Sequence, residues 1–203
     1  MKASTVFVID DDPAVRDSLV LLLDGEAMKV AAFDSVEAFL AAFRPLPRSC
    51  AIVDIRMPRT DGLQLQEELQ RCGVLLPLIF LTGHGDIPQS VRAIKAGAFD
   101  FLTKPVTGSV LFDKVQAALL ESERLNMKAM AIQRAKACVA DLTERERQVM
   151  LLAIDGLSNK EIARQMNISY RTVEIHKSRI FLKTGVKTLI ELSAIAKSSG
   201  LGR

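Results

Sequence analysis

Ala51-Ile52-Val53-Asp54-Ile55-Arg56-Met57-Pro58 is the run on which the reading of the first half of this chain turns. A short β-branched apolar stretch ends in a carboxylate, and Met57-Pro58 with Asp61-Gly62 announces a loop, so Asp54 is expected at a strand terminus. Three other runs behave alike. Val6-Phe7-Val8-Ile9 delivers Asp10-Asp11-Asp12, Leu78-Ile79-Phe80-Leu81 delivers Thr82-Gly83-His84-Gly85-Asp86, and Phe99-Asp100-Phe101-Leu102-Thr103 delivers Lys104-Pro105. Apolar residues at helical spacing fall between them, over 14–24, 36–43, 63–69, 91–96 and 110–120, and Lys29 to Phe33 supplies a fifth strand. Strands alternating with helices predict a parallel sheet covered on both faces, with its sites outside the carboxyl ends of the strands. The carboxylates, the Thr82 hydroxyl and the Lys104 ammonium are therefore expected along one edge.

Asp10, Asp11 and Asp54 gathered there would repel one another unless a cation sat among them. A hard divalent ion, Mg²⁺ or Mn²⁺, takes oxygen ligands of this kind. One carboxylate is then free to act as a nucleophile towards phosphorus, with Thr82 and Lys104 supplying charge stabilisation. Each piece has a plainer reading by itself. Asp12-Pro13 suits the N-cap and first position of a helix, Lys104 a solvated lysine, and Thr82 an ordinary strand end. Their joint placement at successive strand ends is what points to a site.

Residues 4 to 121 resemble the receiver domain of two-component response regulators, on Asp10, Asp11, Asp54, Thr82 and Lys104-Pro105 in order and spacing. The stretch from Thr82 to Pro88, with Lys95-Ala96-Gly97-Ala98 and Asp100-Phe101-Leu102, is similar to the FixJ subgroup. The resemblance implies a flavodoxin-like, doubly wound, five-stranded α/β domain. In it Asp54 takes a phosphoryl group from a sensor histidine kinase. It further implies that Asp11, Asp54 and the Arg56 carbonyl hold the metal with Asp10 supporting it, and that Lys104 meets the phosphoryl group across a cis bond to Pro105. Thr82 and Phe101 would move as a switch, with Arg56 and His84 tuning water access. A homodimer would form through Val91 and Lys95, with an acid such as Asp100 of the second copy.

The second half changes sign. Residues 1–121 carry 12 Lys and Arg against 16 Asp and Glu, whereas residues 142–203 carry 11 against 6. Residues 122–141 contain neither Gly nor Pro and read as a linker, at least partly helical, continuing the last receiver helix. From there the pattern is entirely helical. Thr143-Glu144-Arg145-Glu146 is a capping box, Gly156 ends that helix, Ser158 caps the next, and Asn167-Ile168-Ser169 turns into a third helix from Tyr170 to about Thr184. Two short helices across such a turn, in a basic segment, suggest a helix-turn-helix. At 100° per residue Val173, His176, Ile180 and Thr184 share the core side, and Arg171, Glu174, Ile175 and Ser178 the opposite side, which would enter a major groove. Thr172, Lys177, Arg179 and Lys183 flank it as phosphate contacts.

This segment resembles the LuxR-type, or GerE, DNA-binding domain. The resemblance rests on Leu142 to Glu146, Gly156-Leu157-Ser158-Asn159-Lys160-Glu161-Ile162-Ala163, and Ser169 to His176. It implies a four-helix domain over 142–203 that binds duplex promoter DNA, with Lys160 and Ser169 joining the contacts above, and RNA polymerase as a further partner. Glu174, where a basic or polar residue is common, and Thr184, where Leu or Met is usual, depart from the pattern.

Cys50, Cys72 and Cys138 lack metal-ligand spacing and fit reduced thiols in a cytoplasmic protein without a membrane partner. Taken together, the sequence describes a phosphorylation-dependent transcription factor whose only catalysis is on itself. A phosphotransfer enzyme would leave the basic tail unexplained and has no insert to form a substrate pocket. An adaptor binding protein or RNA is the remaining alternative.

Overall fold

The structure, a computed structural model, describes residues 4–23, 28–83 and 87–201. It forms two compact units, Met1–Asn126 and Met127–Arg203. In the first, β1 (Ser4–Ile9), β2 (Met28–Phe33), β3 (Ser49–Asp54), β4 (Leu78–Thr82) and β5 (Asp100–Thr103) alternate with α1 (Pro13–Leu23), α2 (Val36–Ala42), α3 (Gly62–Arg71), α4 (Ile87–Lys95) and α5 (Gly108–Ala140). The strands form one parallel sheet in the order β2-β1-β3-β4-β5. The register sets Ile9 beside Val53, Asp54 beside Leu81 and Thr82 beside Thr103, so the carboxyl ends of β1, β3, β4 and β5 come level.

The central strands are apolar almost throughout because both faces are covered. Phe7, Ile9, Val53 and Phe80 pack on one side with Phe39 and Leu65, and Val6, Val8, Ile52 and Leu81 on the other with Leu19, Leu111 and Leu119. Cys50 lies within β3, and burial pushes its thiol pKa up to about 12, which suits a small apolar filler.

The segment expected to be a helical linker, 122–141, continues the last receiver helix. α5 is one helix of 33 residues, about 50 Å long at 1.5 Å per residue. The Ser122 hydroxyl accepts from the Ser49 amide at 3.1 Å, and Asn126 donates to the Pro47 carbonyl at 3.3 Å, so this part of α5 belongs to the first unit. Val139 and Leu142 are already in the core of the second. The residues from 122 to 141 are thus divided between two packed bodies.

The second unit follows its capping signals closely. α6 (Glu144–Ile154) and α7 (Asn159–Met166) each begin with a complete capping box, Thr143 with Glu146 and Ser158 with Glu161. Asn167 adopts a left-handed conformation (φ 53°) and α8 (Tyr170–Thr184) follows, capped by Ser169. α9 (Leu189–Ser199) completes the four-helix count, with Thr188 as its N-cap. Val149, Met150, Ile162, Val173, Ile180 and Leu192 form the core.

Candidate functional site

The carboxyl ends of β1 and β3 bring Asp10, Asp11 and Asp54 together, with ligand oxygens all within 4.8 Å of one another. Asp10 is fully buried, Asp54 half-buried and Asp11 exposed. Lys104, following β5, places its Nζ 2.7 Å from Asp10 Oδ2 and 2.5 Å from Asp54 Oδ2. Its bond to Pro105 is cis. Three carboxylates gather around one ammonium here, an oxygen-rich acidic cluster that could hold a divalent cation. Burial raises the Asp10 pKa against the opposing bond from Lys104. Burial also works against the Lys104 charge, but its bonds to Asp10 and Asp54 outweigh this and hold the ammonium pKa above its ordinary value.

The local backbone fixes these groups. Asp10 Oδ1 accepts from the Asp12 amide at 3.0 Å, and the Asp10 carbonyl accepts from Arg16 at 2.7 Å. Asp12 is withdrawn from the cluster, since its carboxylate accepts from the Ala14 amide at 2.8 Å as the N-cap of α1. The Arg56 amide donates to Asp54 Oδ1 at 3.0 Å. Thr82 is buried, with its hydroxyl 3.1 Å from the Gly83 carbonyl, and Phe101 is 39% exposed on β5. Val91 and Lys95 are both exposed on α4. His84 lies outside the described residues.

Two residues that support the site went unread in the sequence. Arg16 carried no signal beyond helical spacing. Gly62 was seen only as half of a turn, yet a Cβ there would sit 2.5 Å from the Asp54 carbonyl oxygen and 2.9 Å from the Phe80 ring. A glycine opening a helix directly after an N-cap aspartate was the available clue.

On the second unit, α8 buries Val173, Ile180 and Thr184 and half-buries His176, whose Nδ1 has no hydrogen-bond partner. Thr184 is accommodated because its hydroxyl donates to the Ile180 carbonyl at 2.7 Å. Arg171, Ile175, Ser178 and Arg179 are exposed on the other side, with Lys160 and Ser169 exposed nearby and Thr172 half-buried. Glu174 pairs with Arg171 at 3.3 Å, which holds the guanidinium near the helix start. Lys177 donates to Asn159 Oδ1 at 3.0 Å, tying α8 to α7.

Two of the expected contact residues are engaged within the chain. Lys183 does not stand free for phosphate: its Nζ lies 2.7 Å from the buried Glu146 carboxylate and 3.1 Å from the Asp141 carbonyl, joining α8 to the start of α6. Asp100 is paired within its own chain, 2.5 Å from Lys114, so it is not a free acid for Lys95 of a second copy.

Comparison with known proteins agrees with this geometry. The family profile for the response regulator receiver domain matches residues 6–116, and that for bacterial regulatory proteins of the luxR family matches 140–196. The chain therefore belongs to the response regulators that join a receiver to a LuxR-type DNA-binding domain, and it is a transcription regulator of the two-component class. Among its relatives are the transcriptional regulatory protein TdiR of Thauera aromatica, 42% identical over 94% of this chain and 84% of that protein, and FixJ of Bradyrhizobium diazoefficiens, 41% identical over 97% and 96%. The solved structure of the response regulator StyR matches with a TM-score of 0.84 at 40% identity, covering 96% of this chain and 98% of that one. Full-length FixJ from B. japonicum matches at 0.60 and 39% identity over both whole chains. Among the described residues no helix is long and apolar enough to cross a membrane.

Proposed function

We propose that Asp54 is the phosphoacceptor of this regulator, that a sensor histidine kinase is its donor, and that phosphorylation controls a dimer binding promoter DNA and working with RNA polymerase in the cytoplasm. The observation carrying this reading is the triad of Asp10, Asp54 and Lys104 at level strand ends, with Asp11 beside it. Asp54 offers one oxygen to the Arg56 amide and the other to Lys104, which orients the carboxylate. Asp10, Asp11, Asp54 and the Arg56 carbonyl would hold Mg²⁺ or Mn²⁺, which supplies charge neutralisation on transferring phosphoryl oxygens. Lys104, now bonded to Asp54, would exchange that oxygen for one on the phosphoryl group, and buried Thr82, at the end of the neighbouring strand β4, would be the second contact. Phe101 would then turn inward from its exposed position and alter the α4 and β5 surface, where Val91 and Lys95 form the dimer contact. The chain's catalysis would be confined to its own phosphorylation and dephosphorylation.

On DNA, Arg171, Glu174, Ile175 and Ser178 would face bases, and Lys160, Ser169, Thr172, Lys177 and Arg179 the phosphates. Ile175, 41% exposed on the outer face of α8, is an apolar group with a thymine methyl as its natural partner.

The test is label uptake from radioactive acetyl phosphate. Wild-type chain should take up acid-stable, base-labile label only with Mg²⁺ present, and Asp54→Asn should take up none. Equal labelling of Asp54→Asn would overturn the assignment.

A further inference from the structure

The loop from β3 to α3 follows Asp54 directly and carries the Arg56 carbonyl assigned above to the metal. The Gly62 amide donates to the Ile55 carbonyl at 3.1 Å and closes its base, and Asp61 caps α3 together with Gln64. Between these fixed points the chain makes a γ-turn. The Thr60 amide donates to the Pro58 carbonyl at 2.9 Å across Arg59, whose φ is 69°. Only two non-glycine residues among the described ones take a positive φ, and the other, Asn167, closes α7, where an asparagine in that conformation is common. An arginine at the centre of a turn of this hand is strained, and such a turn persists only where its surroundings hold it.

The hold comes from α2. Thr60 Oγ1 donates to Glu37 Oε1 at 2.7 Å, a bond between residues 23 positions apart. Glu37 stands in the first turn of α2 between buried Val36 and fully buried Phe39, whose ring packs edge-on against Phe7 and Phe33. An exposed carboxylate is thus mounted on a helix anchored in the core. The Thr60 bond foremost, then the residue's own amide and the nearby Arg59 charge, hold the Glu37 carboxyl below its ordinary value, so the acceptor is ionised at neutral pH. Of the loop's other side chains Met57 packs against the core, while Pro58 and Arg59 are exposed.

We propose that Glu37 is a positioning residue for the receiver's chemistry: through Thr60 it holds the strained turn that fixes the Arg56 peptide, whose amide bonds Asp54 at 3.0 Å and whose carbonyl is a ligand of the divalent ion. This role rests on the phosphoacceptor and metal assignment above. Without the bond the turn relaxes towards ordinary φ and the Arg56 carbonyl loses its aim, so metal affinity falls while transfer from the metal-loaded chain is kept.

The experiment is nitrogen-15 NMR on the intact chain, metal-free and then titrated with Mg²⁺, beside labelling from acetyl phosphate. Glu37→Ala and Thr60→Val should each speed hydrogen exchange at the Arg56 amide in the metal-free chain and weaken Mg²⁺ binding about threefold to fivefold. Saturating Mg²⁺ should restore the wild-type labelling rate. Glu37→Gln loses the same charge as Glu37→Ala but keeps an acceptor for Thr60, so it should bind Mg²⁺ within about twofold of wild type, as should Thr60→Ser. The double variant Glu37→Ala/Thr60→Val should be no weaker than either single one, because both remove one bond. Thr60→Val binding Mg²⁺ as tightly as wild type, or Glu37→Gln as weakly as Glu37→Ala, would overturn the proposal and leave the metal assignment standing. Wild type that binds no Mg²⁺ would overturn both.

Discussion

Lys183 shows how a side chain's partner can lie beyond what a helical wheel displays. Its angular position on α8 borders the outward face, where a lysine in a basic domain reads as a phosphate contact. The structure gives it to Glu146, a residue legible as the third position of a capping box but not as a buried one. Its partner lies 37 positions away, and no local pattern encodes that approach. The Glu146 pKa is held down to about 2, first by the Lys183 bond and further by the Thr143 amide, against the cost of burial. A depressed carboxylate pKa contributes stability that is complete above the ordinary carboxylate value and lost as pH falls through it towards 2. Tyr170 is the only tyrosine and the chain has no tryptophan, so tyrosine fluorescence during urea unfolding reports the second unit alone. Lys183→Ala should lower that stability by about 2 to 3 kcal/mol at neutral pH, less than for a fully buried pair because the lysine is partly exposed. Glu146→Gln should flatten the decline between pH 4.5 and 2. A Lys183→Ala chain as stable as wild type, with unchanged pH dependence, would return the lysine to the surface role.

Elements were legible where their ends are chemically marked. Thr143 with Glu146, Ser158 with Glu161, and the Asn167 turn each announce a boundary, and α8 runs over the predicted residues. The sheet was readable too, because β-branched runs ending in polar loops recur with helical patterns between them. α5 was harder: with no Gly or Pro from 109 to 140, nothing in the sequence says which residues pack on which core. α9 had readable caps in Thr188, Glu191 and Gly200, but its place came only from family resemblance. On α8, Arg171→Ala should cost about 1 to 3 kcal/mol in operator binding and relax preference at one base position. Arg179→Ala should instead weaken all duplexes alike and make the salt slope shallower by about one unit, as removal of one phosphate contact does. Fluorescence anisotropy across a salt series and a panel of single-base variants separates the two. On α4, the exposed Lys95 should tolerate reversal in the unphosphorylated chain, whereas Lys95→Glu should abolish dimerisation of the phosphorylated one by sedimentation velocity. A phosphorylated Lys95→Glu dimer of undiminished strength would place the interface elsewhere.

The molecule as a whole joins a receiver of net charge −4 over residues 1–121 to a basic segment of net +5 over 142–203, from 12 against 16 and 11 against 6 charged residues. An overall charge of +3 conceals this division, which was visible only by counting along the chain. It gives each end its own chemistry: cation and phosphoryl group at the acidic strand ends, polyanionic duplex at the basic helices. The two are joined in function only if the state of Asp54 changes what the helices bind. The most direct measurement is the affinity of the intact chain for a duplex enriched from random sequence by the phosphorylated protein, with and without acetyl phosphate and Mg²⁺, for wild type and Asp54→Asn. Wild type should bind at least about tenfold tighter with the phosphodonor, a change of about 1.4 kcal/mol, and Asp54→Asn should not respond. A wild-type chain indifferent to the donor, or an Asp54→Asn chain that tightens as much as wild type, would contradict the account.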